Sequence, residues 1–175
     1  AFLDGAAAGA GSSADRRQVV PRRDAGRAPN VVALERKLLA RFGDVAGAGP
    51  RAEARVGLMD ALNAYENLPF WHTLLRELGF SVLMPRRDEG VAAAEGLETI
   101  PSESVCQPAK VVHARFYDLA GRGARAVLMP RYERGSRCPV SSCYADAVRD
   151  SVPLVHEGAV SLVAPTLGAV RPEGI

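Results

Sequence analysis

The chain has 175 residues, 47% of them hydrophobic and 24% charged, which suits one globular domain with a tail and excludes collagen-like and wholly disordered chains. Twenty-two basic residues against 20 acidic ones leave a formal net charge of +2, too balanced to argue for nucleic acid or a membrane surface as a partner. No apolar run approaches the ~20 residues of a membrane span, no basic-then-apolar leader opens the chain, and three cysteines are too few for a disulfide scaffold, so the thiols point to a reducing, cytoplasmic setting.

Residues 1–30 read as a flexible linker, rich in Ala, Gly and Ser and then basic from Arg16 to Arg27, with no helical or strand period. Such an opening suggests a fragment of something longer. Residues 31–50 read as a connecting helix and linker. Val31, Leu34, Leu38 and Phe42 recur at helical spacing, Asn30 is a good N-cap, and Gly43 and the stretch from Gly47 to Pro50 stop the helix.

The organised domain spans 51–175. Val56–Met59 reads as a strand and Asp60–Pro69 as a connecting loop or the first turn of a helix. Phe70–Leu78 reads as a helix with Phe70, Trp71, Leu74, Leu75 and Leu78 as its apolar face, ended by Gly79. A strand at Phe80–Met84 follows, then a polar stretch with a short helix at Val91–Glu95 and an extended piece near Ile100–Pro101. Val105–Ala120 is the longest helical pattern, with Val112, Phe116 and Leu119 on one face. Ala126–Met129 is apolar throughout, as a buried parallel strand should be. A polar loop, a helix at Val140–Arg149 and a strand at Ser161–Ala164 complete the series. This alternation predicts an α/β domain, Rossmann-like or flavodoxin-like, in three layers with a mainly parallel sheet. Ligands of such sheets bind at the carboxyl ends of the strands.

No GxGxxG or GxxxxGK[ST] motif is present, so a phosphate-loop nucleotide site is unsupported. Cys106 stands beside Gln107 and Pro108, at or just before a helix N-terminus, and Ser104 and Gln107 have capping-box spacing. Unpaired N–H groups there favour a thiolate, the form that a metal or a nucleophilic mechanism requires; a small cysteine packed under the helix start is the bland alternative. Cys138, followed by Pro139, repeats the arrangement after the apolar strand. Cys143 is a possible third ligand but reads more naturally as core. His72 and His113 read as structural or exposed, and His156 as a loop residue. Asn63 and Glu66 follow the first strand and are weaker candidates for orienting a ligand, as are Glu103 and Lys110 beside Cys106. Asn67 suits a cap for the helix that follows it.

Val56-Gly-Leu-Met-Asp-Ala-Leu-Asn-Ala-Tyr-Glu-Asn-Leu-Pro-Phe-Trp71 resembles the opening of a domain in proteins related to 2-hydroxyacyl-CoA dehydratases and their activases. The likeness continues through Glu77-Leu-Gly-Phe80 and Ile100-Pro-Ser-Glu-Ser-Val-Cys-Gln-Pro-Ala-Lys110, and resumes at Cys138-Pro-Val and Tyr144. The stretch from Asn30 to Phe42 looks like the arm before this domain. Two places depart from the family pattern: Arg131 stands where a cysteine is often found, and Met59-Asp60 where Pro-Arg is usual. The resemblance implies ATP-driven, low-potential electron transfer. In it Cys106 and Cys138 ligate an iron–sulfur cluster of the 4Fe–4S or double-cubane type in the full-length protein, since such clusters are held mostly by cysteine thiolates. It implies an activase ATPase domain and dehydratase domains as partners, in cis or in trans, and an acyl-CoA substrate. A docking domain joining ATPase and acceptor, and a thiol enzyme using Cys106, are the other two readings.

Overall fold

A computed structural model describes residues 30–86, 96–132 and 138–168. The linker expected over 1–30, all but its last residue, and the short helix expected at 91–95 lie outside these residues. Four strands, β1 (Arg55–Leu58), β2 (Ser81–Leu83), β3 (Ala126–Leu128) and β5 (Ser161–Val163), form one sheet in the order β2-β1-β3-β5. Every neighbouring pair in it is parallel, with Val56 opposite Val82 and Ala126, and Val127 opposite Leu162. This is the three-layer α/β architecture that the alternation of elements predicts.

The helices are α1 (Val31–Leu39), α2 (Leu68–Glu77), α3 (Gln107–Gly121), α4 (Pro139–Ser151) and the single turn α5 (Pro153–His156). Parallel strands are buried on both faces, so adjacent residues of one strand enter different cores. Leu58 and Leu128 pack with Leu68, Trp71 and Leu75 of α2 and with Leu39 of α1. Met59 and Val127 pack on the other side with Val112, Phe116 and Leu119 of α3 and Tyr144, Ala145 and Val148 of α4. Thus α2 covers one face and α3 and α4 the other.

Beyond Met129 and Ala164 the β3 and β5 chains pass prolines, which supply no N–H to a ladder, and then pair again as β4 (Arg131–Tyr132) and β6 (Thr166–Leu167), parallel like the strands before them. Sequence reading places Arg131 and Tyr132 in a loop. The short pair is an extension of β3 and β5 past the sheet, held by the Arg131 N–H donating to the Pro165 carbonyl at 2.9 Å. It carries Tyr132 across to α2, where its hydroxyl accepts from Trp71 Nε1 at 2.8 Å.

Three helix faces differ from expectation. On α1, Asn30 caps as predicted, with Oδ1 accepting from the Ala33 N–H at 3.0 Å. Yet Val31, Leu34 and Leu38 are exposed and Leu39 is the buried residue. The reason is tertiary: the segment after the helix is pinned to the domain, so only the last turn docks. Val45 exchanges backbone bonds of 2.9 and 2.8 Å with Val82 on the outer edge of β2, and His72 Nε2 donates to the Gly43 carbonyl at 2.7 Å. On α2, Leu68, Trp71, His72 and Leu75 are buried, whereas Phe70 and Leu78 are exposed. Its N-terminus is at Asn67, but that side chain makes no capping bond. Gly79 follows α2 at φ +87, where a side chain would be strained and would meet the Ala48 carbonyl. The piece near Ile100–Pro101 is a turn, not a strand.

Candidate functional site: the carboxyl edge of the sheet

In a sheet of order 2-1-3-4 the direction of strand addition reverses between the first and third strands, and the crevice beyond their carboxyl ends receives ligands. Here those ends are Met59–Asp60 and Met129–Pro130, locked together by the Met59 N–H donating to the Leu128 carbonyl at 3.0 Å. The N-termini of α3 and α4 open at this same edge, as crossover geometry requires.

Cys106 is the N-cap of α3 and Cys138 the N-cap of α4; both backbones are extended at the cap. Proline in the first turn of each helix explains this. It has no N–H to lose there and its fixed φ suits the first turn. The Cys106 carbonyl accepts from the N–H groups of Ala109 and Lys110 at 3.0 and 3.2 Å, which starts the helix. Since Cys106 is the cap, the capping box expected from Ser104 and Gln107 does not form. The Ser104 hydroxyl instead meets the Ser102 hydroxyl at 2.8 Å in the turn before the helix.

None of the three cysteines is in a disulfide, and all three are exposed. For Cys143 this overturns the core reading, because its place on α4 faces away from Tyr144, Ala145 and Val148. The Ser141 N–H holds the Cys138 thiol below its ordinary value. The Val140 N–H and the Ser141 hydroxyl add to that, while desolvation works against it. Alkylation of Cys138 in a Cys106→Ser, Cys143→Ser background should therefore show a pH–rate midpoint below the value for the same cysteine in the urea-unfolded chain. A midpoint at or above that value would remove the thiolate preference assigned to this cap.

Beneath the cysteines lies a buried polar chain that sequence reading did not foresee. His113 is fully buried. Its Nδ1 is 2.8 Å from Thr99 Oγ1 and its Nε2 is 2.9 Å from the Tyr144 hydroxyl. The Thr99 hydroxyl spends its one hydrogen on the Gly96 carbonyl at 2.9 Å. Nδ1 therefore carries a proton and donates to Thr99. Burial pushes the His113 pKa below the ordinary value, which favours the neutral ring and so an Nε2 that accepts from Tyr144. Tyr144 is pushed up, first by burial and then by the charge of Cys106, which puts these two groups in electrostatic reach.

A histidine whose folded pKa lies below its unfolded value binds fewer protons when folded. Stability then rises with pH across the window between the two values and falls as the solution is acidified through the unfolded value of about 6.5. Urea midpoints should drop from pH 7 to pH 5, and a His113→Gln variant should lose most of that slope. An equal slope in the variant would assign the effect to other groups.

The other sequence candidates are scattered. Glu66 and Glu103 are exposed, Lys110 is half-buried, and Asn63 lies in a 3-10 turn after β1. His156 is exposed at the end of α5. Asp60, by contrast, is buried at the end of β1, with Oδ1 2.7 Å from Arg115 Nη1, which also donates to the Asp60 carbonyl at 2.6 Å. Arg131 pairs with Asp146 of α4, a carboxylate shared with Arg149 at 2.6 Å.

The donor chemistry at this edge suits iron–sulfur ligation in kind, since two thiols sit at amide-rich helix starts, and is short in number. Among the described residues no group of three or more His, Cys, Asp or Glu side chains assembles that could hold a metal ion. Among them, too, no helix is long and apolar enough to cross a membrane.

A parallel sheet of this order, with cysteine-capped helices at its carboxyl edge, defines a doubly wound α/β domain with thiols at that edge. Over residues 55–173 the chain matches the CoA enzyme activase uncharacterised domain, and it belongs to that family. This is the activase-related family to which the motifs at 56–71, 100–110 and 138–140 point. No curated protein and no solved structure matches the chain.

Proposed function

We propose that this domain serves ATP-driven, low-potential electron transfer in a dehydratase or activase-related protein, with Cys106 and Cys138 as two thiolate ligands of an iron–sulfur cluster. One observation carries the reading: the two cysteines cap the helices that open at the carboxyl edge of one sheet. The cluster, when bound, would supply one-electron chemistry at low potential. The chain's own part is to hold two thiolates, to stabilise the one on Cys138 through the first-turn N–H groups of α4, and to place both beside a buried polar chain. Remaining ligands come from beyond the described residues or from another chain. Partners on this reading are an activase ATPase domain and dehydratase domains, with an acyl-CoA substrate, in the cytoplasm, where thiols stay reduced.

The shortage of a third donor among the described residues favours a second reading, a docking domain that joins an ATPase to its electron acceptor without iron of its own. Anaerobic iron and sulfide analysis with EPR on the full-length protein separates the two. The first reading expects a cluster in the wild type that Cys106→Ser or Cys138→Ser removes or alters. A full-length protein that folds and takes up no iron after reconstitution would establish the docking role instead.

A further inference from the structure

We infer that His113, Thr99 and Tyr144 form the positioning device of the thiol edge: a buried hydrogen-bond chain that fixes the start of α3 against α4, and so Cys106 against Cys138. The inference takes the two cysteines as the site proposed above and names what holds them.

Spacing, hydrogen bonds and ring packing carry it. His113 follows Cys106 by seven residues, two helical turns, and so lies on the same face of α3. Tyr144 follows Cys138 by six residues and enters the core from α4. The 2.9 Å bond between them therefore ties the two cysteine-capped helices together at the depth of the second turn. The rings also meet edge to face, with centroids 5.6 Å apart. On the other side of the ring, Thr99 joins α3 to the turn that begins at Gly96.

That turn is itself pressed onto the helix. A Cβ built on Gly96 would lie 2.6 Å from the Ala114 nitrogen and 2.7 Å from the His113 carbonyl carbon, so only glycine permits the contact. The imidazole, satisfied at both nitrogens, thus links three segments far apart in the chain. A leucine of similar size would pack there without specifying orientation, whereas a histidine with two defined partners admits one placement of α3 between them.

The roles are positioning roles, since none of the three residues is assigned to a reacting group. Tyr144→Phe is the discriminating variant, because it keeps the ring and its packing and removes only the hydroxyl. Hydrogen–deuterium exchange on the full-length protein reads the result. Segments 106–112 and 138–144 should exchange about tenfold faster in the variant while α2 is unchanged, as local opening predicts. Thr99→Val should speed exchange in 106–112, and Thr99→Ser, which restores the hydroxyl, should return it to the wild-type rate.

Unchanged exchange in Tyr144→Phe, a uniform rise that includes α2, or failure of Thr99→Ser to rescue would each overturn the inference. The readout needs no bound iron. An iron-free wild type would therefore defeat the electron-transfer reading and leave this test standing.

Discussion

Replacing Arg115 by methionine should lower the unfolding free energy by about 3 kcal/mol, the lower end of what removing one partner of a buried ion pair costs. Asp60 is the reason. Its side chain is 1% exposed and its carboxylate lies 2.7 Å from the guanidinium. Methionine keeps most of the side-chain length, so the change isolates charge and hydrogen bonding from packing. The same guanidinium also holds the Asp60 carbonyl, so the loop leaving β1 loses two anchors at once. Asp60→Asn in the same background should recover part of the loss, because burying an amide costs less than burying a carboxylate. Urea unfolding at pH 7 measures both. A loss under about 1 kcal/mol for Arg115→Met would mean that the pair behaves like a surface ion pair.

Phe116→Ala should cost about 4 kcal/mol, near the middle of the range for emptying a fully buried aromatic site. Phe116 is 0% exposed and lies among Val112, Leu119 and Val127, where α3 meets the sheet. The neighbours belong to a close-packed parallel core and cannot collapse into the space. Phe70→Ala provides the matched control. Its ring is 59% exposed on α2, and the change should stay within about 0.5 kcal/mol, as surface substitutions do. Equal costs for the two would reverse the assignment of the α2 face. The site feels the difference as well, since Phe116 anchors the helix that Cys106 caps.

Much of this arrangement was legible in the chain. The strands at 55–58, 81–83, 126–128 and 161–163 fall within a residue or two of the apolar runs that announce them. The inner strand β3 shows this most plainly, because a parallel strand buried on both faces does not alternate. The long helix and its Val112, Phe116 and Leu119 face follow from a period of 3.6. Where periodicity misled, a neighbour decided. The stripe of Val31, Leu34 and Leu38 on α1 is regular, yet the pinning of residues 43–45 to α2 and β2 turns it to solvent. Phe70 and Leu78 are apolar enough for a core face, but α2 buries His72 in their place because the Gly43 carbonyl satisfies the imidazole. Cys143 looked like core on composition, since cysteine is among the most buried residue types; the angle at which α4 packs leaves it outside. The β4–β6 pair is two residues per strand, too short for any pattern.

The sequence by itself determined the ends of the two helices that matter most. Proline in the first turn after Cys106 and after Cys138 has no N–H to contribute and a fixed φ, which places each cysteine at or just before a helix start, whereas the fold decided that Cys106 rather than Ser104 is the cap. The sequence also determined the class of fold, because apolar runs and helical periods alternate along the chain. Only the tertiary structure decided what lies beneath those caps. Thr99 and Tyr144 are 14 and 31 residues from His113, and nothing local marks them as partners. They meet because the β2 to β3 crossover and the β3 to β5 crossover lay α3 and α4 on the same face of the sheet. Burial there leaves the imidazole no water to bond, so it must find protein partners on both sides.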